Sequence, residues 1–517
     1  MNGADVLCDV LLANDVNICF ANPGMVTGAA DGYARMTNRP ALTLLHTGPG
    51  LANGLANLHN ARRARVPMIN VVGDHASYHL ALDAPLTADI ESLAAPMSNW
   101  VRRIEGPDDV ARATQAAIYA SLSPPGIATL ILPADAAWGE ARPPASAVID
   151  RPAPPATKGE AIRSAAEAIR KARGRAALLV RGTAALADSL EIAGQISAAL
   201  NVRLFSEVQV AHMQRGIGRV APTRIPYPID AALEVLADID VLVLVGAPEP
   251  VAFFAYPGKP GRLVHKGCQV LTLAAHGEDL KRALEELREE LGIKSSQTVP
   301  QAKIVPDEGR PSGALTEDAV AVIVAQKLPD NAIVCDEGIT SARRFFSLSE
   351  QSAPHDFMMN TGGAIGIGIP LSIGAAIACS DRKVLNLQAD GSGMYTVQGL
   401  WTQARENLDI ITIVFANRTY AVLHGEMRNV GVQTIGENAR RMLDLDNPLL
   451  DWVSMAKGLG VEAARARTCE EFTGLLDHAF ALEKPQHAAH FGPAIESRDK
   501  MHLRGSRHGP FLIEAVI

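Results

Sequence analysis

Aromatic side chains are scarce in this sequence, at 4% of 517 residues, while glycine is abundant at 43. Such a composition suits α/β layers, where small residues let helices pack closely on sheets. There is no surplus of positive charge. The net charge is −8, which argues against a general nucleic-acid binder, because that function needs a basic face. The run Arg62-Arg63-Ala64-Arg65 is too short to change this and reads as a helix end. The six cysteines, Cys8, Cys19, Cys268, Cys335, Cys379 and Cys469, include no CxxC pair. A disulfide framework and a zinc site are both unexpected, and a reducing cytoplasm fits. No basic region followed by an apolar stretch opens the chain, so no signal peptide is expected. One uncharged stretch, Thr361 to Ser380, nears membrane-span length. Its glycines and proline make a buried loop and helix the better reading, and no membrane is expected as a partner.

What is present is ordinary for a protein with a large core: 48% hydrophobic and 20% charged residues. The length predicts about three domains. Pro-rich polar stretches near Arg142–Lys158 and Lys294–Gly313 read as linkers. They leave blocks at 1–141, 158–293 and 314–517. In each, short apolar runs alternate with helical patterns. Expected strands are Asn17–Phe20, Ala41–Leu45, Pro67–Val72 and Ala128–Leu132, then Ala176–Val180 and Val241–Val245, then Ala332–Cys335, Lys383–Leu387 and Ile410–Phe415. Unbroken β-branched runs indicate strands covered on both faces. Their alternation with helices indicates parallel sheets. The expected fold is therefore α/β, with three doubly wound parallel-sheet domains. Residues 484–509 break the pattern and read as an insertion loop between a helix, Glu470–Leu482, and a last strand, Phe511–Val516. The histidines in that loop match no metal-ligand spacing.

The strongest chemical signal lies at Lys383–Tyr420. One strand leads into Ala389-Asp390-Gly391-Ser392 and a second ends at Ala416-Asn417-Arg418-Thr419. Asp390 and Asn417 then sit at the C-terminal ends of two strands, the edge of an open α/β sheet where ligands bind. A diphosphate held with Mg²⁺ needs hard oxygen ligands. A carboxylate, an amide oxygen and a nearby backbone carbonyl supply three. Gly391 lets the backbone approach phosphates, and the N–H groups after it can donate to them. A surface turn would explain Asp-Gly-Ser alone, but not its pairing with Asn417 on the same edge. A dinucleotide-binding reading of the glycine-rich run 362–368 fails the same kind of check, since no expected strand leads into it.

The Asp390-to-Asn417 pattern resembles the thiamine-diphosphate signature, with Ala389 in place of its first glycine. Asn22-Pro23-Gly24, Thr27–Arg35 and His46–Gly54 are similar to that family's pyrimidine-binding domain. Asp336-Glu337-Gly338 and Gly362–Gly366 are similar to its diphosphate-binding domain. The closest resemblance is to the acetolactate synthase large subunits, with benzoylformate decarboxylase more distant. The resemblance implies thiamine diphosphate and Mg²⁺, with Asp390, Asn417 and the Thr419 carbonyl as metal ligands. Gly363, Ala364, Ile365, Gly391 and Ser392 would complete the cofactor site, Ile365 as the wedge beneath the cofactor. It implies His46 facing a 2-oxo acid substrate. It also implies a homodimer or homotetramer, because the two cofactor-binding domains come from different subunits. The activity implied is decarboxylation and carboligation of pyruvate, as in branched-chain amino-acid biosynthesis. The sequence is silent on a small regulatory subunit.

Two departures stand out. In the family a glutamate that activates the cofactor precedes the Thr-Gly-Ala-Ala-Asp-Gly-Tyr-Ala-Arg stretch. Here Gly24 runs straight into that stretch, about two dozen residues are absent, and Pro23 falls where the glutamate would be. The chain is then a carboligase working without the glutamate, a poorly active or non-catalytic paralogue, or the product of a gene that has lost a segment. The central block lacks the Gly-Met-His-Gly loop with which acetolactate synthases hold FAD, so FAD is doubtful here.

Overall fold

The computed structural model describes residues 1–21, 25–302, 309–482 and 509–517. The first sheet holds β1 (Cys19–Ala21), β2 (Ala41–His46), β3 (Met68–Asp74), β4 (Trp100–Arg103) and β5 (Ile127–Pro133). All its pairings are parallel, in the order β1-β2-β3-β5-β4. The middle of the chain supplies β6 (Ala176–Val180), β7 (Arg203–Ser206), β8 (Met213–Arg215), β9 (Thr223–Arg224), β10 (Val241–Val245) and β11 (Gln269–Ala274). Five of these form a second parallel sheet, β11-β10-β6-β7-β9. The third sheet contains β12 (Ala332–Glu337), β13 (His355–Met359), β14 (Val384–Ala389), β15 (Ile410–Ala416), β16 (Glu462–Ala466) and β17 (Phe511–Val516). Its order is β16-β17-β15-β14-β12-β13-β8. The chain is thus α/β with three doubly wound parallel sheets. The unbroken apolar runs behave as expected: every residue of β5 and β15 is buried.

Short strands escaped the sequence reading. β4, β7, β8, β9, β13 and β16 have two to five residues each, too few to set a period. β8 leaves the central block and pairs antiparallel with β13, so the third sheet borrows a strand from the second block. β13 also corrects the expectation for the glycine-rich run. It ends at Met359 and leads into residues 362–368 and the Gly368–Ala378 helix. Strand, glycine turn and helix are all present there. The expected insertion at 484–509 lies outside the described residues, as does Pro23, except for Gly509.

The outer sheets share one plan. Read from the other edge, the first runs β4-β5-β3-β2-β1. The parallel part of the third runs β16-β17-β15-β14-β12-β13. Matching strand for strand, the first sheet lacks only a counterpart of β13 among the described residues. In the third block, residues 338–354 form the crossover that delivers β13 beside β12. In the first block, only residues 22–24 separate β1 from the Met25–Thr37 helix. Among the described residues, β1 has no strand on its outer side.

The helices that follow, Met25–Thr37 and Gly368–Ala378, are counterparts and cross at backbone contact. A methyl on Gly374 would fall 1.9 Å from the carbonyl oxygen of Ala29, and one on Gly32 would fall 2.2 Å from that of Leu371. Glycine is required at both positions because the two backbones fill the space.

Beside this crossing lies a fully buried ion pair. Arg35 Nε and Nη2 donate to the two carboxylate oxygens of Asp31 at 2.8 and 2.6 Å. Nη1 donates to the carbonyls of Ala211 and Met359, and Nη2 also to Thr361 Oγ1. One side chain therefore joins all three blocks. The Asp-Gly-Tyr-Ala-Arg stretch accordingly clamps the three blocks of sequence together. Arg35→Ala leaves the Asp31 carboxylate buried and unpaired, so we expect it to destabilise the chain by about 3–5 kcal/mol. A denaturation midpoint within error of the parent's would refute the clamp.

Candidate cofactor site

The site grows from the C-terminal ends of β12, β14 and β15. β14 and β15 pair in register from Val384↔Ile410 to Ala389↔Phe415. Asp390 and Asn417 each follow directly, so the two come together as expected. Asp390 Oδ2 accepts the N–H of Arg418 at 2.6 Å, and Oδ1 accepts its neighbour Gly391's N–H at 2.8 Å. Asn417 Oδ1 accepts the Thr419 N–H, and its Nδ2 donates to Ser341 Oγ at 3.2 Å. Thr419 Oγ1 donates to Asp444, which also takes His424 Nε2 at 3.1 Å. The Asn417–Thr419 turn is thereby fixed from behind.

The donor set fits a hard divalent cation beside a diphosphate. Asp390 is 3% exposed, not on a loop rim as its position after the strand suggests. Burial pushes its carboxyl up to about 6, against the pull of the backbone N–H groups. A nearby cation would reverse that cost. Gly391 is a cradle: any side chain there would meet the Tyr420 ring at 2.5 Å. Ser392 is buried too, accepting from Gln388 Nε2 at 2.6 Å.

The opposite wall is the turn carrying Gly363, Ala364 and Ile365. Its organiser is Glu337, the last residue of β12, at 1% exposure. Glu337 accepts the N–H groups of Gly366, Ile367 and Gly368, and the amides of Gln388 and Asn360. Burial raises its pKa even so. From the first block, His59 bonds the Gly362 carbonyl and Asn60 that of Ala364. Ile365 is half-buried on this turn rather than part of the core. Sequence reasoning missed the roles of Glu337, Gln388, Ser341 and Tyr420. The usable signal for the first two was polar side chains near the C-terminal ends of buried strands.

His46 is exposed at the end of β2 and caps the Thr47–Ala64 helix without a side-chain bond. No hydrogen bond joins it to the Asp390–Asn417 turn within the chain among the described residues. It stands on the ligand-binding edge of the first sheet.

Two family models match this chain. The C-terminal thiamine pyrophosphate-binding domain covers residues 338–489, and the N-terminal one covers 25–93. A Mycobacterium tuberculosis protein named "Putative acetolactate synthase large subunit IlvX" is 43% identical over 511 residues, 94% of this chain and 98% of that one. The chain belongs to the thiamine-diphosphate-dependent acetolactate synthase large-subunit family. A Pseudomonas aeruginosa benzoylformate decarboxylase is a more distant relative of this family member, 28% identical over 493 residues and 89% of each chain. The fold is also that of the Rhodococcus jostii thiamine diphosphate-dependent 4-hydroxybenzoylformate decarboxylase. The two agree with a TM-score of 0.81 over 99% of this chain and 98% of that one, at 22% identity.

The N-terminal model begins at Met25, just past Asn22-Pro23-Gly24. The alignment with the mycobacterial relative has 511 positions, but 94% of 517 residues is about 486. About 25 aligned positions therefore have no residue in this family member. Among the described residues, no helix is long and apolar enough to cross a membrane.

Proposed function

We propose that this chain is a thiamine-diphosphate- and Mg²⁺-dependent lyase or transferase acting on 2-oxo acids, acetolactate synthase-like in its chemistry. The observation that carries this reading is the junction of Asp390 with the Asn417–Thr419 turn, closed at 2.6 Å across two adjacent strand ends. Asp390, the Asn417 amide oxygen and the Thr419 carbonyl hold the metal. Gly391 lets the backbone approach the diphosphate, Ser392 presents its N–H to it, and Ile365 supports the ring system from below. The bound cofactor supplies covalent catalysis, and the protein supplies orientation and a dry, shaped site. His46 reaches the substrate from a second copy of the chain, in a cytoplasmic homodimer or homotetramer. FAD is not part of the proposal, for the central block lacks the family's flavin loop.

A second reading is favoured by the first sheet. Its missing strand is where the activating glutamate belongs, so the chain binds cofactor but turns over poorly. Incubating the purified protein with pyruvate, cofactor and Mg²⁺ separates the two. Turnover comparable to a family enzyme supports the first reading. Cofactor binding by calorimetry with slow or no product supports the second. Absence of Mg²⁺-dependent cofactor binding would refute both.

A further inference from the structure

Asn417 is an amide, and only one of its two ends can serve a metal. Oδ1 has lone pairs to offer a cation, whereas Nδ2 carries only donor hydrogens. A half-turn about the last side-chain bond exchanges the two with almost no change of shape. Asp390 has no such ambiguity, because a carboxylate ends in two oxygens. Whatever holds the Asn417 amide in place therefore decides whether this position can be a ligand. The group that holds it is Ser341. This buried hydroxyl donates to Glu317 Oε1 at 2.7 Å. A hydroxyl has one proton, and a carboxylate only accepts. With that proton committed, Ser341 Oγ can only accept, and Asn417 Nδ2 donates to it at 3.2 Å. Oδ1 is thereby turned the other way. It takes the Thr419 N–H at 3.1 Å and keeps a second lone pair for a cation.

The backbone holds Ser341 at this spot. Ser341 follows β12 and Asn417 follows β15, with β14, which leads to Asp390, lying between them. The Ser341 bond therefore spans the strand that carries the other ligand. The Ser341 N–H donates to the Gly338 carbonyl at 2.9 Å, and the Gly338 N–H donates to Asp336 Oδ1 at 3.0 Å. Inside this turn Ile339 has φ +53°, a left-handed conformation that is an outlier for a β-branched side chain. Such strain persists only where the surroundings enforce it, and it gathers at ligand sites. Glu317 is anchored in turn as the first residue of the Glu317–Lys327 helix, which Thr316 caps.

We propose that Ser341 is a positioning residue for the metal: backed by Glu317, it sets the Asn417 amide with its oxygen toward Mg²⁺. This rests on the function proposed above, through Asn417 as a ligand, and adds the device that makes it one.

Calorimetric titration of Mg²⁺ into the full chain with thiamine diphosphate tests it. Ser341→Ala should weaken Mg²⁺ binding by about 10–100-fold, the usual loss when a group that orients a metal ligand is removed. Ser341→Thr keeps the hydroxyl and should stay within about threefold of the parent. In an Asn417→Asp background an oxygen faces the metal whichever way the side chain turns, so Ser341→Ala should cost under about threefold there. Unchanged affinity in Ser341→Ala would overturn the proposal. So would a Ser341→Thr variant as weak as Ser341→Ala, or an equal loss in both backgrounds, the mark of a structural role. A parent chain with no Mg²⁺-dependent cofactor binding would instead sink the underlying function, so the two failures are told apart.

Discussion

Asp390→Ala should lower Mg²⁺-dependent thiamine diphosphate affinity by at least about 100-fold, to the point of no measurable binding by calorimetry. Losing an outer partner of a metal ligand already costs 10–100-fold in metal affinity, and Asp390 is the only carboxylate in the proposed ligand set. The two N–H groups it accepts, from Gly391 and Arg418, lose their partner in the variant. Because the residue is buried, that loss costs about 1–3 kcal/mol locally. The sheet beneath is unaffected, since β14 and β15 pair through their backbones. Circular dichroism should therefore match the parent. Asp390→Asn keeps an acceptor and removes the charge, so it should fold as the parent does and still fail to bind. Equal cofactor affinity with and without the carboxylate would show that the metal assignment is wrong.

The second large effect concerns rate. A carboxylate at N1′ of the pyrimidine assists proton movement at the cofactor, and such assistance is typically worth about 10²–10⁴-fold. Between Ala21 and Ala29 no residue carries a carboxylate. Asp31 is the nearest on the C-terminal side, but both its oxygens are engaged by Arg35. Acetolactate formation from pyruvate by the 517-residue chain should therefore be slow or undetectable. The free outer side of β1 is where a remedy belongs. A helix-and-strand crossover inserted between Ala21 and Met25, taken from a relative with its glutamate, should pair along the free side of β1. It should raise turnover at least about tenfold. The same insertion with glutamine at that position separates restored folding from restored chemistry and should stay slow. Robust turnover by the unmodified chain would defeat this prediction and place it with carboligases that manage without a glutamate.

Much of this was legible in the sequence, for physical reasons that differ by element. β3, β5, β10, β14 and β15 are buried on both faces, and that burial writes itself as an apolar run. Asp390 and Asn417 were legible because both chemistry and topology restrict what can stand at a strand's end. Glu337 was not, since its partners are backbone N–H groups about 30 residues away. Asp31 and Arg35 were recognisable by resemblance, but nothing local reveals that their partners lie some 180 and 320 residues along the chain. The packing of Phe253 on the Gly363 turn was hidden in the same way, because the two meet only in the fold.

The reach of Arg35 also bears on how the molecule comes apart. Its donors are shared among a helix of the first block, a carbonyl of the second and a carbonyl and hydroxyl of the third. Loosening any one block exposes a desolvated charge to the other two. The three sheets are thus coupled through one side chain, and we expect melting as a single cooperative event rather than three successive ones, which calorimetry would check. A truncation that removes the first block would leave the other two with unmet carbonyls at Ala211 and Met359. Limited proteolysis should accordingly yield the whole chain or small fragments, with little accumulation of an isolated block.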